Sequence, residues 1–258
     1  MNSTYILLLS ATTGAATAAT VVTNDMTDLA DFSGNTNWST ASGVAQTAAT
    51  NDYLTMAQGV PAPVEIGDSV TASVVKRITV GSSIPVAANR YALRLAITAN
   101  NDGTGGLAKS MWTRRQPNTG TIWGHALTSP GNSWDFAGWK NTSTIGLASP
   151  TDSTSDWFTS ELTITKQASG YDLSISYYDS SNTLLSSATS TGVALAAGLA
   201  SSSTWYANFG TEYQSIEADI ASVEVDSVTL TSSVDAIPEP SSALLVGLAS
   251  LGLIRRRR

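Results

Sequence analysis

Residues 161–179 read Glu-Leu-Thr-Ile-Thr-Lys, then Gln-Ala-Ser-Gly, then Tyr-Asp-Leu-Ser-Ile-Ser-Tyr-Tyr-Asp. In an extended chain Leu162 and Ile164 share one side. In the next run Tyr171, Leu173, Ile175 and Tyr177 share one side. A period of two is the pattern of a half-buried β-strand, and Thr, Ile and Tyr suit a pleated surface. The short polar joint ending in Gly170 fits a tight connection between antiparallel neighbours. These residues therefore predict a hairpin. Beyond the turn signal Asp179-Ser180-Ser181-Asn182, a third strand at 183–187 would continue it as a meander.

The same pattern extends in both directions. Residues 73–80 alternate, and so do residues 91–97, where Tyr91, Leu93, Leu95 and Ile97 fall on one face and Arg94 on the other. Near the end of the body Val223 and Val225 share one phase, while Val228 and Leu230 share the other. The slip at Asp226-Ser227 predicts a β-bulge. The best helical candidate, 192–199, is rich in Gly and Ala and predicts no more than one turn. The fold class is all-β, an antiparallel β-sandwich or barrel. Trp38, Trp157 and Trp205 read as core residues.

Three runs carry a family resemblance: W-F-T-S-E-L-T-I-T-K at 157–166, G-Y-D-L-S-I-S-Y-Y-D at 170–179 and V-E-V-D-S-V-T-L-T at 223–231. Their order, ending in a long apolar strand, resembles the jelly-roll domains of the concanavalin/laminin-G-like superfamily. That resemblance implies that the last strand lies beside the first, which would fall within 20–32.

The two ends of the chain have a different character. Pro238-Glu239-Pro240 stops any helix or sheet ladder, because proline removes a donor and fixes φ. The uncharged run 243–254 follows, and then Arg255, Arg256, Arg257 and Arg258. Arginines at the edge of an apolar run stay on the cytoplasmic side. The run is shorter than the roughly 20 residues of a permanent span, so it reads as a short, transient transmembrane helix. This order resembles the PEP-CTERM sorting signal, which implies that an exosortase, a membrane-embedded cysteine protease of Gram-negative bacteria, recognises and removes it. At the front, the apolar core Tyr5-Ile6-Leu7-Leu8-Leu9 and the small residues up to Thr20 predict a signal peptide and a signal peptidase as partner. The expected division is 1–19 signal peptide, 20–235 β-sandwich ectodomain and 236–258 sorting signal.

Composition narrows the chemistry. There is no Cys, so neither disulfides nor thiols contribute. Of 13 Lys and Arg, four are terminal, leaving 9; of 20 Asp and Glu, one is Glu239, leaving 19. The exported body thus carries a charge near −10. It lacks the basic footprint that nucleic acid requires, and anionic lipid surfaces repel it.

The candidate ligand-binding residues are Trp112, Trp123, Trp134 and Trp139, four of the seven tryptophans within one stretch that also holds Arg114, Asn118, His125 and Asp135. Flat rings beside amides and carboxylates suit sugars, whose C–H faces stack and whose hydroxyls hydrogen-bond. Core filling accounts for the same tryptophans. His125, the only histidine, supports neither a usual zinc site nor a Gly-x-Ser-x-Gly nucleophile. Glu217 and Asp219 resemble part of the acidic strand motif of jelly-roll glycosidases, but Ala221 and Ser222 stand where the next acid belongs. No catalytic residue, metal ligand or cofactor is assigned. Asn100, Asn101 and Asp102 before Gly103 offer oxygens that calcium could take, though a turn explains them equally. The expected protein is a non-catalytic exoprotein of the cell surface or extracellular matrix, structural or adhesive in exopolysaccharide or biofilm. A lectin-like carbohydrate-binding module and a degenerate glycosidase are the alternatives.

Overall fold

The computed structural model describes residues 19–34, 37–49, 52–80, 90–114, 119–126, 133–134, 139–141, 154–211 and 220–234. The segments read as signal peptide and sorting signal, and the pair Glu217 and Asp219, lie outside them. In chain order the strands are β1 Thr20–Asn24, β2 Phe32–Gly34, β3 Ser39–Ala41, β4 Val44–Thr47, β5 Asp52–Met56, β6 Val60–Pro61, β7 Ser69–Val80, β8 Arg90–Thr98, β9 Leu107–Arg114, β10 Thr119–Ala126, β11 Ser133–Trp134, β12 Trp139–Asn141, β13 Phe158–Gln167, β14 Gly170–Asp179, β15 Leu184–Val193, β16 Thr204–Thr211 and β17 Ile220–Ser232, with a single helical turn α1 at Ala197–Ser201.

These strands form two antiparallel sheets. One runs β15-β14-β13-β7-β17-β4-β3, with β1 beside β17; the other runs β11-β10-β9-β8-β16-β5-β2, with β12 beside β10 and β6 beside β16. The predicted hairpin is β13–β14, in register from Phe158↔Asp179 to Gln167↔Gly170. Gly170 takes a φ of 91° to close it, a left-handed conformation that glycine adopts without strain. The third strand exists and runs on to Val193. At its turn the Asp179 carboxylate accepts from the Ser181 and Thr183 backbone N–H groups, at 2.9 and 2.8 Å, and Asn182 supplies the left-handed residue. The last strand does pair with the first, Thr20↔Ser232 through Asn24↔Val228.

The sheets pack face to face over one core. Val70, Ala72, Val74, Ile78, Leu162, Ile164, Leu173, Ile175 and Leu230 come from the first sheet. They meet Leu54, Leu95, Ile97, Trp205 and Phe209 from the second. The register of β17 against β7 shifts between Val225 and Ser227. The extra residue restores the phase, so Val223 and Val225 on one side of the bulge and Val228 and Leu230 on the other are all buried. Phe209 packs edge-on against both Phe32 and Trp38, with ring centroids 5.7 and 5.9 Å away. Trp205 donates its indole N–H to the Leu199 carbonyl at 2.9 Å, which ties α1 to the core. Burial of this kind is worth about 1.5–3 kcal/mol per large side chain.

Two side chains depart from their expected places. Trp157 is half-buried rather than core, and its ring lies 4.7 Å from the Arg77 guanidinium. Trp157 precedes β13, outside its alternation, so it caps the ion pair of Arg77 with Glu224 at 2.5 Å. Lys76 shares the phase of Val74 and Ile78 on β7 and is only 2% exposed. Its ammonium sits 5.8 Å from the Phe158 ring centroid, and loss of hydration pushes its pKa down to about 7.

Candidate functional site

The outer face of the second sheet, opposite the core, is polar and nevertheless closely covered. Alternation on β5, β8 and β16 sends Leu54, Leu95 and Phe209 inward and leaves Tyr53, Thr55, Arg94 and Asn208 on the other side. Cross-strand register gathers the second group: Asn208 pairs with Thr55 and Ala96, and Gly210 pairs with Tyr53 and Arg94. The Arg94 guanidinium lies 4.4 Å from the centroid of the Tyr53 ring, a cation–π geometry.

The β8–β9 loop folds over this face. Gly103 N–H donates to the Asn100 carbonyl at 3.1 Å, and Asn100 N–H to the Thr104 carbonyl at 3.2 Å. The Asp102 carboxylate accepts from the Thr104 hydroxyl at 2.5 Å and the Thr104 N–H at 2.9 Å. Those two bonds hold its pKa below the ordinary value, so it is ionised at neutral pH. Ser33 Oγ donates to the Asn101 carbonyl, joining the loop to β2. Gly103 has a φ of 79°, and a Cβ there would lie 3.0 Å from Asn208 Nδ2 and 3.1 Å from Thr55 Oγ1. Only glycine lets the loop approach the sheet this closely.

Between loop and sheet lies a cleft of about 290 Å³, walled by Tyr53, Thr55, Arg94, Asp102, Gly103 and Asn208, among others. At its floor Asn208 donates from Nδ2 to Thr55 Oγ1 at 2.8 Å, while its Oδ1 is buried without a hydrogen-bond partner. A buried orphan acceptor costs about 1–3 kcal/mol. The cleft is thus lined by the Asp102 carboxylate and the Tyr53 ring, with the Thr55 hydroxyl and the Asn208 amide buried in its floor.

The four tryptophans occupy neighbouring strands at one end of the same sheet, on β9, β10, β11 and β12. Register separates them. Trp112 pairs with Ile122 on β10 and with Leu93 on β8, and Trp134 pairs with Gly124. Both share the phase of Leu95. Trp123 pairs with Met111 and Trp139 with Thr121, and both share the phase of Arg94. His125 pairs with Lys109, which pairs with Ala96 beside Asn208. The side chains of the four tryptophans and of His125 lie outside what the structure describes. So do Pro238, Glu239, Pro240 and Arg255, Arg256, Arg257 and Arg258.

Asp102 spends one oxygen on both Thr104 groups, so the Asn100–Asp102 segment is closed as a turn. Among the described residues no three His, Cys, Asp or Glu side chains cluster as metal ligands do. Sequence reasoning missed the cleft because its residues come from three strands far apart in the chain. One signal was present: Asn208 interrupts the apolar run Trp205-Tyr206-Ala207-Asn208-Phe209 of a buried strand, where an amide needs a reason.

Residues 236–258 match the PEP-CTERM protein-sorting motif. That motif implies export, processing by an exosortase and a terminal transmembrane segment that anchors the sorting signal. No curated protein matches the chain in sequence. In structure it is similar to legume lectins. Peanut lectin superposes with a TM-score of 0.52 at 13% identity, over 83% of this chain and 97% of the lectin. Winged bean acidic lectin, solved with methyl-α-D-galactose, gives a TM-score of 0.52 at 11% identity, over 85% and 100%. Lectin I-B4 of Griffonia simplicifolia gives 0.51 at 12% identity, over 83% and 99%. The body thus has a jelly-roll fold like that of these lectins.

Proposed function

We propose that this exported protein works at the cell surface as an adhesive component of the extracellular polysaccharide matrix, and that its body holds sugar chains in the outer-face cleft. The observation that carries the reading is the cleft itself, which sets the ionised Asp102 and the Tyr53 ring over a floor of Thr55 and Asn208. Sugar hydroxyls are donors of the kind a carboxylate accepts, and sugar C–H faces suit an aromatic wall. The lectin-like fold and the sugar bound to the winged bean lectin support the same chemistry. The register row Gly210, Arg94, Met111, Trp123 leads from the cleft toward the tryptophan strands, so a chain longer than one residue would continue in that direction.

The reading is non-catalytic and needs no cofactor. Lectin activity in place of a purely structural role is tested on a glycan array with the processed body. Binding that disappears in Asn208→Ala supports the cleft. Undiminished binding in that variant removes it. Complete absence of glycan binding in the wild type leaves a structural component of the matrix.

A further inference from the structure

The two ends of the body leave from one place. Thr20 pairs with Ser232, and the Thr20 hydroxyl donates to the Val234 carbonyl at 3.2 Å. Residues 60–68 close this pole. Ser232 Oγ donates to the Pro61 carbonyl at 2.8 Å, and Ser233 N–H donates to the Ser69 carbonyl at 2.9 Å. The Asp68 carboxylate accepts from the N–H groups of Val64 and Glu65, at 3.0 and 2.7 Å. That clamp fixes a tight turn that presents Val64 and Ile66 to solvent, 65% and 67% exposed. Among the described residues the large exposed apolar side chains are these two, Val21 and Leu184. Three of the four surround the exit point. Leu184 lies at the opposite pole, paired with Tyr178. Beside the turn is a mainly apolar cavity of about 380 Å³, walled in part by Val60, Pro61, Pro63, Val64 and Val234.

Chain length says what can reach this surface. The eight residues 235–242 separate the body from the apolar run of the tail. Fully extended they span at most about 30 Å. Until the tail is cut, the pole therefore stays close to the membrane, next to the protease that cuts it. A body charge near −10 opposes contact with anionic lipid, which leaves protein as the partner. We propose that the Val64–Ile66 turn and the adjoining cavity are a docking surface for the exosortase, which seats an apolar side chain of its extracytoplasmic face there while it processes the tail. The surface acts on the body, away from the sorting motif, and is independent of sugar binding.

The test follows the full-length chain in exosortase-positive cells by pulse-chase, as the ratio of precursor to processed protein. The Val64→Asp, Ile66→Asp double variant should be processed about tenfold more slowly, the loss expected for one interface anchor. Leu184→Asp, at the other pole, should be processed at the wild-type rate. Ile66→Ser, at a position two-thirds exposed, removes the apolar contact with little effect on folding and should also slow processing. Wild-type kinetics in both turn variants would overturn the proposal. Binding of the released wild-type body to phosphatidylethanolamine/phosphatidylglycerol vesicles, lost in the double variant, would assign the surface to lipid and overturn it equally.

Discussion

The second sheet buries both of its faces, for opposite reasons. Its inner face carries Leu54, Leu95, Ile97, Trp205 and Phe209, and their burial is the hydrophobic driving force of the sandwich. Its outer face carries Thr55, Arg94, Thr98, Lys109 and Asn208, all buried as well. Polar groups on a strand gain nothing from burial in itself. Over Thr55 and Asn208 the cover is the 100–106 loop, which comes closest at Gly103 and leaves a cleft beside it. Burial therefore does not distinguish the structural face from the functional one; the chemistry of what is buried does.

The largest effects should mark the inner face. Phe209→Ala removes a ring packed against Phe32 and Trp38 and should cost about 3–5 kcal/mol in urea unfolding, with a folded residue of glycan binding retained. Register phase extends the comparison to the tryptophans. Trp112→Ala, in the Leu95 phase, should cost a similar amount. Trp123→Ala, in the Arg94 phase, should weaken glycan binding more than it lowers stability. The reverse pattern would break the assignment of faces.

Lys76 is the exception on the inner side, and pH exposes it. Its folded pKa, about 7, lies below its ordinary 10.5. Between those values the unfolded chain binds more protons than the folded one, so stability should rise with pH by a few kcal/mol from pH 7 upward. Burial pushes the Tyr177 phenol above its ordinary 10.0. Beyond about pH 10 the unfolded phenol ionises first, and the gain should turn over. Lys76→Met should flatten the rise in a pH series of thermal midpoints; an unchanged slope would show that the ammonium already finds water.

The smallest stability change belongs to the outer face. Asn208→Ala loses one hydrogen bond to Thr55 and also removes the orphan acceptor, so the net cost should stay near 1 kcal/mol. Glycan binding should vanish all the same. A loss of several kcal/mol without a separate binding defect would return Asn208 to the structural side of the comparison.

Much of the first sheet was readable in one dimension. Leu162, Ile164, Leu173 and Ile175 alternate, Gly170 marks the turn between them, and the phase slip at Asp226-Ser227 located the bulge. Trp157 was misread because aromatic size suggests core, whereas its place outside the strand sets it over Arg77. The sorting motif was legible because a membrane and a protease read it as linear chain. The cleft was not. Tyr53, Arg94, Asp102 and Asn208 lie far apart in sequence, and no local pattern says that they share a face.

What the sequence by itself determined, then, is what depends on local periodicity and on contiguous residues: the all-β class, the hairpin, the bulge, the acidic thiol-free body and the tail. Tertiary structure alone decided which side of each strand meets solvent, which polar residues the cover buries, and that both ends leave from one apolar pole. Those outcomes depend on contacts between strands distant in the chain, and alternation along a strand carries the same signal whichever face a neighbouring sheet or loop comes to cover.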